Sequence, residues 1–140
     1  MQLQVGVKAI LRNEEGKILL LRRSQAKYPD VKGDVWDIVG GRIEPGTPLL
    51  DNLRREIREE TGLQLQGVPK LIAAQDILKN PEKHVVRLTY IAEVAAGDVR
   101  LDDDHEAYQW YTSDELRTLP GLDRYFTEVL AAVGPAAKGK

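Results

Sequence analysis

Three glutamates, Glu56, Glu59 and Glu60, are the residues of this chain whose type and spacing point most directly to chemistry. They stand in the stretch GGRIEPGTPLLDNLRREIREETGL, Gly40 to Leu63. At about 100° of helix per residue, they share one arc. Arg54, Arg55 and Arg58 share a second. Leu50, Leu53 and Ile57 share a third, which predicts a core-facing side. Three carboxylates so close repel one another and destabilise an isolated helix. Hard divalent cations such as Mg²⁺ use this oxygen-rich grouping, leaving waters and substrate phosphates to complete the shell. A bare acidic triplet is otherwise a solvated helix face with arginine partners.

The helix that must carry them is predicted over about Pro48–Thr61. Thr47 can act as N-cap, its hydroxyl oxygen taking a free backbone N–H, and Pro48 fits the first helical position, where no N–H is needed. Gly62 suits the left-handed residue that ends a helix, with Leu63 folding back behind it. Ahead of the helix, Gly40 and Gly41 predict a turn whose backbone can approach a ligand closely.

Read from Gly41, the order is glycine, five residues, Thr47, seven residues, then Arg55-Glu56-Ile57-Arg58-Glu59-Glu60-Thr61-Gly62-Leu63. This resembles the Nudix box of the Nudix (MutT-like) hydrolases, GX5EX7REUXEEXGU with U a bulky aliphatic. One fixed position departs, since Thr47 stands where the family has Glu. The resemblance implies an α/β (α+β) Nudix fold, a mixed β-sheet sandwiched between helices. It also implies an enzyme that hydrolyses a nucleoside diphosphate linked to another group, with water attacking phosphorus.

Carried over residue by residue, Glu56, Glu59, Glu60 and the carbonyl of Gly40 become ligands of Mg²⁺, with Mn²⁺ as a substitute. Glu56 or Glu60 would also activate water. Arg55 becomes the family's structural arginine, which steadies helix and loop by ion pairing. Gly41 and Arg23 become substrate-binding positions, because Nudix proteins often set an arginine against substrate phosphate at the strand end where Arg23 lies. Glu106 opens Glu106-Ala107-Tyr108-Gln109-Trp110-Tyr111, which is similar to the family's E-x-x-x-W strand. That region supplies a further metal ligand or the general base in many relatives, with Asp104 and His105 ranking behind Glu106. Thr47 leaves open the tie between loop and Arg55, and the expectation is that Glu44 or a water takes that contact.

The 140 residues suit one domain, expected over 1–133, with a frayed tail at 134–140. A 42% hydrophobic and 30% charged composition reads as soluble and globular. A net charge of −2 gives no global drive toward a nucleic acid polymer or an anionic membrane. A polyphosphate substrate must therefore meet local cations and metal. The absence of cysteine excludes disulfides and thiolate chemistry. Neither a signal peptide nor a membrane-spanning stretch is evident, so a cytoplasmic protein is expected, as monomer or homodimer.

Along the chain, Leu3 to Leu11 alternates as a strand with one better-buried face, and Ile18–Leu21 reads as a strand covered on both. Val35–Val39 is a short strand delivering the chain to Gly40. Leu65–Lys79 and His84–Ala95 form a hairpin across Asn80-Pro81-Glu82-Lys83, with His84 as a turn residue. Thr112 and Glu115 form a capping box for a short helix stopped by Pro120-Gly121. A last amphipathic helix carries Leu122, Tyr125, Phe126, Val129 and Leu130 toward the sheet.

The substrate expected first is a nucleoside triphosphate, cleaved to NMP and pyrophosphate in the MutT manner. ADP-ribose or a sugar nucleotide comes second. The alternative class is a catalytically silent Nudix-like domain that binds a nucleotide and regulates; retention of all three helix carboxylates argues against it. No GxxxxGK[ST] is present, which disfavours a P-loop NTPase.

Overall fold

The two apolar faces of the first strand set the layering. In the computed structural model, which describes residues 1–31 and 35–133, strand β1 (Gln2–Arg12) is followed by β2 (Ile18–Arg23), β3 (Trp36–Asp37) and β4 (Val39–Arg42). Helix α1 (Leu49–Thr61) leads to β5 (Leu65–Ile77), β6 (Lys83–Val94) and β7 (His105–Tyr111). Two helices close the chain, α2 (Ser113–Leu116) and α3 (Arg124–Val133). The expected tail, 134–140, lies outside the described residues.

All the strands join one mixed sheet in the order β3-β2-β1-β6-β5, with β4 on β1 and β7 on β2. β1 and β6 run parallel, and the other pairs are antiparallel. Val7, Ala9 and Leu11 point to one face with Leu19 and Leu21, and Leu53 and Ile57 of α1 pack there. Ile10, Ile18 and Leu20 point to the other face, under Leu116 of α2 and Phe126 and Val129 of α3. The result is an α/β/α sandwich. β2 is buried on both faces as its unbroken apolar run implies. β1 is more mixed than its alternation suggested: Ile10 is also buried, while Leu3 is 67% exposed at the strand's open end.

Several boundaries differ from expectation. Val35–Val39 is not one strand, because β3 and β4 pair with different neighbours, β2 and β1. Gly40 and Gly41 are not a turn; they lie within β4, opposite Lys8 and Val7. Gly40 has φ of 139°, and a Cβ there would stand 2.1 Å from the Val7 carbonyl oxygen. Its glycine is required by close backbone approach rather than by chain reversal. The β5–β6 hairpin forms as expected, although His84 is in the strand, its Nε2 2.7 Å from Asp76 Oδ1. The Thr112–Glu115 capping box is present, and α2 ends at Leu116, before the proline.

Candidate active site

Helix α1 is held at both ends, but not by the cap its sequence suggested. Pro48, not Thr47, is the N-cap, and no side chain caps the helix there. The loop is instead tied by Asn52, which is fully buried. Its Oδ1 accepts from the Glu44 N–H at 2.9 Å, and its Nδ2 donates to the carbonyls of Thr47 (2.8 Å) and Pro48 (3.0 Å). At the other end Gly62 is left-handed, at φ 71°, and its N–H returns to the Arg58 carbonyl. The Thr61 carbonyl, which the helix leaves free, accepts from the Arg100 N–H at 2.8 Å.

So fixed, α1 lays Leu53 and Ile57 into the core and turns Glu56 and Glu60 against β4. A Cβ on Gly41 would lie 3.0 Å from both carboxylate oxygens of Glu56, so the glycine is what lets that carboxylate touch the strand. Glu60 accepts from the Gly40 N–H at 3.1 Å. Burial, then the neighbouring Glu56, push the Glu60 carboxyl up to about 9. Glu59 does not join them. It is exposed, with Oε1 3.6 Å from Arg55 Nη1. The same Arg55 nitrogen lies 3.3 Å from Glu56 Oε2 and 3.9 Å from Glu44 Oε2, while Nη2 donates to Asn52 Oδ1 at 2.9 Å. The contact expected of Glu44 is thus present only at long range, and Asn52 makes the short one.

Glu56 and Glu60 border a cleft of about 600 Å³. Its floor is a line of alternating charges. Lys8 Nζ lies 3.0 Å from Asp37 Oδ2 and donates to the carbonyls of Ile38 (3.1 Å) and Gly40 (3.2 Å). Arg87 donates from Nη2 to Asp37 at 3.0 Å and from Nη1 to Asp123 at 2.8 Å. Asp123 also takes the Phe126 N–H at 3.0 Å, at the start of α3. Burial opposes ionisation of Asp37, but Lys8 and Arg87 outweigh it and hold its carboxyl below the usual value. Arg23, Arg42 and Lys79 add basic side chains to the lining, and Asp104 and His105 border it.

This geometry can be set beside known proteins. The NUDIX domain family matches residues 2–130. The chain belongs to the Nudix family. It is 30% identical over 122 residues to the ADP-ribose pyrophosphatase of Methanocaldococcus jannaschii, covering 84% of this chain and 65% of that protein. It is 30% identical over 135 residues to the NAD-capped RNA hydrolase NudC of Stutzerimonas stutzeri, covering 91% and 48%. The chain therefore spans less than two thirds of the length of these curated relatives. Among solved structures, the MutT protein from Methanosarcina mazei Go1 superposes with a TM-score of 0.79 at 29% identity, covering 94% of this chain and 92% of that one. A MutT Nudix hydrolase from Burkholderia pseudomallei gives 0.77 at 27% identity, covering 96% and 100%.

Within the Nudix frame, the residues fit a divalent cation in a specific way. Two carboxylates share a buried corner beside a backbone N–H, and one of them is driven toward its protonated form. A cation there would replace that proton with the charge both oxygens lack. Among the described residues no group of three acidic, histidine or cysteine side chains is gathered to hold a metal. Of the expected triplet, Glu56 and Glu60 stand together at the strand, and Glu59 lies beside them on the exposed side of α1, against Arg55. The Gly40 carbonyl faces the same strand edge, where Lys8 now donates to it.

Glu106 is placed elsewhere. A register shift between Arg22 and Arg23 leaves it unpaired opposite β2, and such a bulge re-aims side chains. Its carboxylate meets Arg22 Nε at 2.9 Å and the Gln25 N–H at 3.0 Å, and it is not among the residues lining the cleft. Arg23 does line it, with its guanidinium 5.2 Å from the centre of the Tyr28 ring. His105 lines it too, with Nδ1 2.7 Å from Asp102 Oδ1. Sequence reasoning missed Lys8, Asp37, Asn52, Arg87 and Asp123. Arg87 carried a signal, being a charge inside the apolar run Val85-Val86-Arg87-Leu88. Lys8 and Asp37 carried none, since each fits the polar face of a strand.

Proposed function

We propose that this Nudix chain is a divalent-cation-dependent pyrophosphohydrolase of nucleoside diphosphate derivatives, with a nucleoside triphosphate as first substrate and ADP-ribose as second. One observation carries the reading. Glu56 and Glu60 press against the Gly40–Gly41 strand at one side of a cleft that also presents Arg23, Arg42 and Lys79. Phosphates need cations, and the chain as a whole, at −2, offers none in excess. The cleft gathers them locally. The names of the relatives, an ADP-ribose pyrophosphatase and an NAD-capped RNA hydrolase, support a nucleotide diphosphate as the shared element.

In the reaction, a water oxygen bonds to phosphorus as the P–O anhydride bond breaks, and the departing phosphate leaves with the bonding pair. Glu56 or Glu60 takes the proton of the attacking water. Arg23 and Arg42 meet phosphate oxygens. Arg55 holds Glu56 in place and does not react. Mg²⁺, with Mn²⁺ as a substitute, would be held by Glu56 and Glu60, and when bound it neutralises phosphate charge and lowers the pKa of water. Glu106, tied to Arg22 and Gln25, contributes by fixing the β2–β7 edge rather than by touching substrate.

The test is release of phosphate and pyrophosphate from a panel of nucleoside triphosphates, ADP-ribose and sugar nucleotides, with and without Mg²⁺, beside Glu60→Gln. Mg²⁺-dependent cleavage that Glu60→Gln abolishes is the expected result, and the best substrate names the subclass. Mg²⁺-independent nucleotide binding with no turnover across the panel would replace this reading with that of a silent regulatory domain.

A further inference from the structure

The position where the Nudix box departs, Thr47, removes a carboxylate that would join loop to helix. Thr47 meets its surroundings through its backbone: its carbonyl accepts from Asn52 Nδ2 at 2.8 Å and its N–H donates to the Glu44 carbonyl at 3.1 Å. Three residues into α1, Asn52 does what a longer acidic side chain could do from the loop. Its amide has two donors and an oxygen with two lone pairs, and here all four are engaged. The side chain is fully buried, so each of those groups would be costly if unpaired. Asparagine is also a weak helix former, because its amide competes for backbone groups. In this helix the competition is used: Nδ2 takes the Pro48 carbonyl while Oδ1 reaches across to the loop.

We propose that Asn52 is a positioning residue that replaces the missing carboxylate at Thr47. It clamps the loop at Glu44 and Thr47 onto α1 and presents Arg55 to Glu56. The connection runs from the Glu44 N–H through Asn52 Oδ1 to Arg55 Nη2, and from Arg55 Nη1 to Glu56 at 3.3 Å. A neutral amide differs from a carboxylate in one respect that matters here. It orients the guanidinium without consuming its charge, which remains for Glu56, Glu59 and Glu44. This placement in catalysis rests on the function proposed above; the clamp itself does not.

The test uses the full chain in three forms, Asn52→Ala, Asn52→Asp and the exchange Asn52→Ala with Thr47→Glu. Two readouts are taken, hydrogen exchange of the Glu44 amide by NMR, and kcat and KM on the preferred nucleotide. Asn52→Ala is expected to speed Glu44 exchange at least about tenfold, the loss of one buried bond. It should lower kcat about tenfold or more with KM little changed, as expected when a group is mispositioned rather than substrate binding weakened. Adding Thr47→Glu should recover most of kcat. Asn52→Asp keeps both acceptor contacts but sets a carboxylate oxygen against the carbonyls of Thr47 and Pro48, so it is expected to lower kcat at least as far as Asn52→Ala. Unchanged Glu44 exchange overturns the clamp. Faster exchange with unchanged kcat, or no recovery with Thr47→Glu, overturns the positioning role. If wild type cleaves no nucleotide, the proposed function fails while the exchange data still decide the clamp.

Discussion

Replacing Arg87 by methionine keeps most of the apolar stem and removes the guanidinium from the cleft floor. The group is buried, at 5% exposure, and carries charge-assisted bonds of 2.8 Å to Asp123 and 3.0 Å to Asp37. Removing one member of a buried ion pair costs about 3–5 kcal/mol, because the partner stays buried and charged. Two features pull the figure down. Asp37 keeps Lys8 and the Ile38 N–H, and Asp123 keeps the Phe126 N–H. The Arg87 Nε, buried without a partner, also disappears, which returns part of an unsatisfied-donor cost of about 1–3 kcal/mol. The net expectation is a loss of about 2–4 kcal/mol. Urea is the appropriate denaturant, since guanidinium salt would screen the charges under test. The midpoint should fall at constant m.

The same variant carries a pH signature. The folded Asp37 carboxyl sits below its ordinary value, so its contribution is present above about pH 3.9 and is lost as pH falls through the folded value. Without Arg87, Lys8 and the Ile38 N–H alone hold it down, and the acid loss of stability should begin at higher pH. A stability loss under about 1 kcal/mol, with an unmoved acid limb, would refute the view that Arg87 is the centre of the floor.

Glu60 has the opposite sign: its folded pKa is raised to about 9, so its contribution is full below the ordinary 4.5 and declines as pH rises toward 9. Metal-free wild type should therefore lose stability over that range, Glu60→Gln should not, and thermal melts at pH 5 and 8 decide it. Gly41→Ala places a methyl 3.0 Å from both Glu56 oxygens and should cut kcat at least tenfold with a stability change under about 2 kcal/mol; equal activity would mean that Glu56 need not touch the strand. Gly40→Ala meets backbone at 2.1 Å and φ of 139°, and should cost more than about 3 kcal/mol or prevent folding, read by circular dichroism. Phe126→Ala empties the fully buried centre of the α3 side and should cost about 3–5 kcal/mol in urea with the Glu56–Glu60 corner intact.

Periodicity made the sandwich legible, because local rules and burial agree there. The both-faced burial of Ile18–Leu21, the Thr112 capping box and the aromatics of α3 all follow from patterns of a few residues. What failed depends on distant chain. Thr47 is a good N-cap by type, but Pro48 takes that position with no side-chain cap, while the Thr47 carbonyl is held by Asn52 from within the helix. Gly40 and Gly41 look like a turn until β1 runs alongside them. Glu106 matches a family strand, yet a one-residue bulge settles which face it takes, and Arg22 is there to receive it. Within the arc the acidic triplet shares, Glu56 and Glu60 are about 40° apart and Glu59 lies about 60° from Glu56 on the other side, where it meets Arg55.

The floor of the cleft ties the acidic corner of α1 to the rest of the sheet. Lys8 belongs to β1, Asp37 to β3 and Arg87 to β6, while Asp123 opens α3. Their alternating charges join the central strands to the helix on the far face. Lys8 also donates to the Gly40 carbonyl, and its charge opposes the rise of Glu60. The acidic corner is therefore not an isolated feature of the Nudix box. Its backbone and its electrostatics are set from β1, through a lysine that the box does not contain. Removing that ammonium while retaining its stem, as in Lys8→Met, would free the Gly40 carbonyl and raise Glu60 further, shifting the onset of Mg²⁺-dependent turnover to higher pH. An unchanged onset would mean that the box sets its own charge.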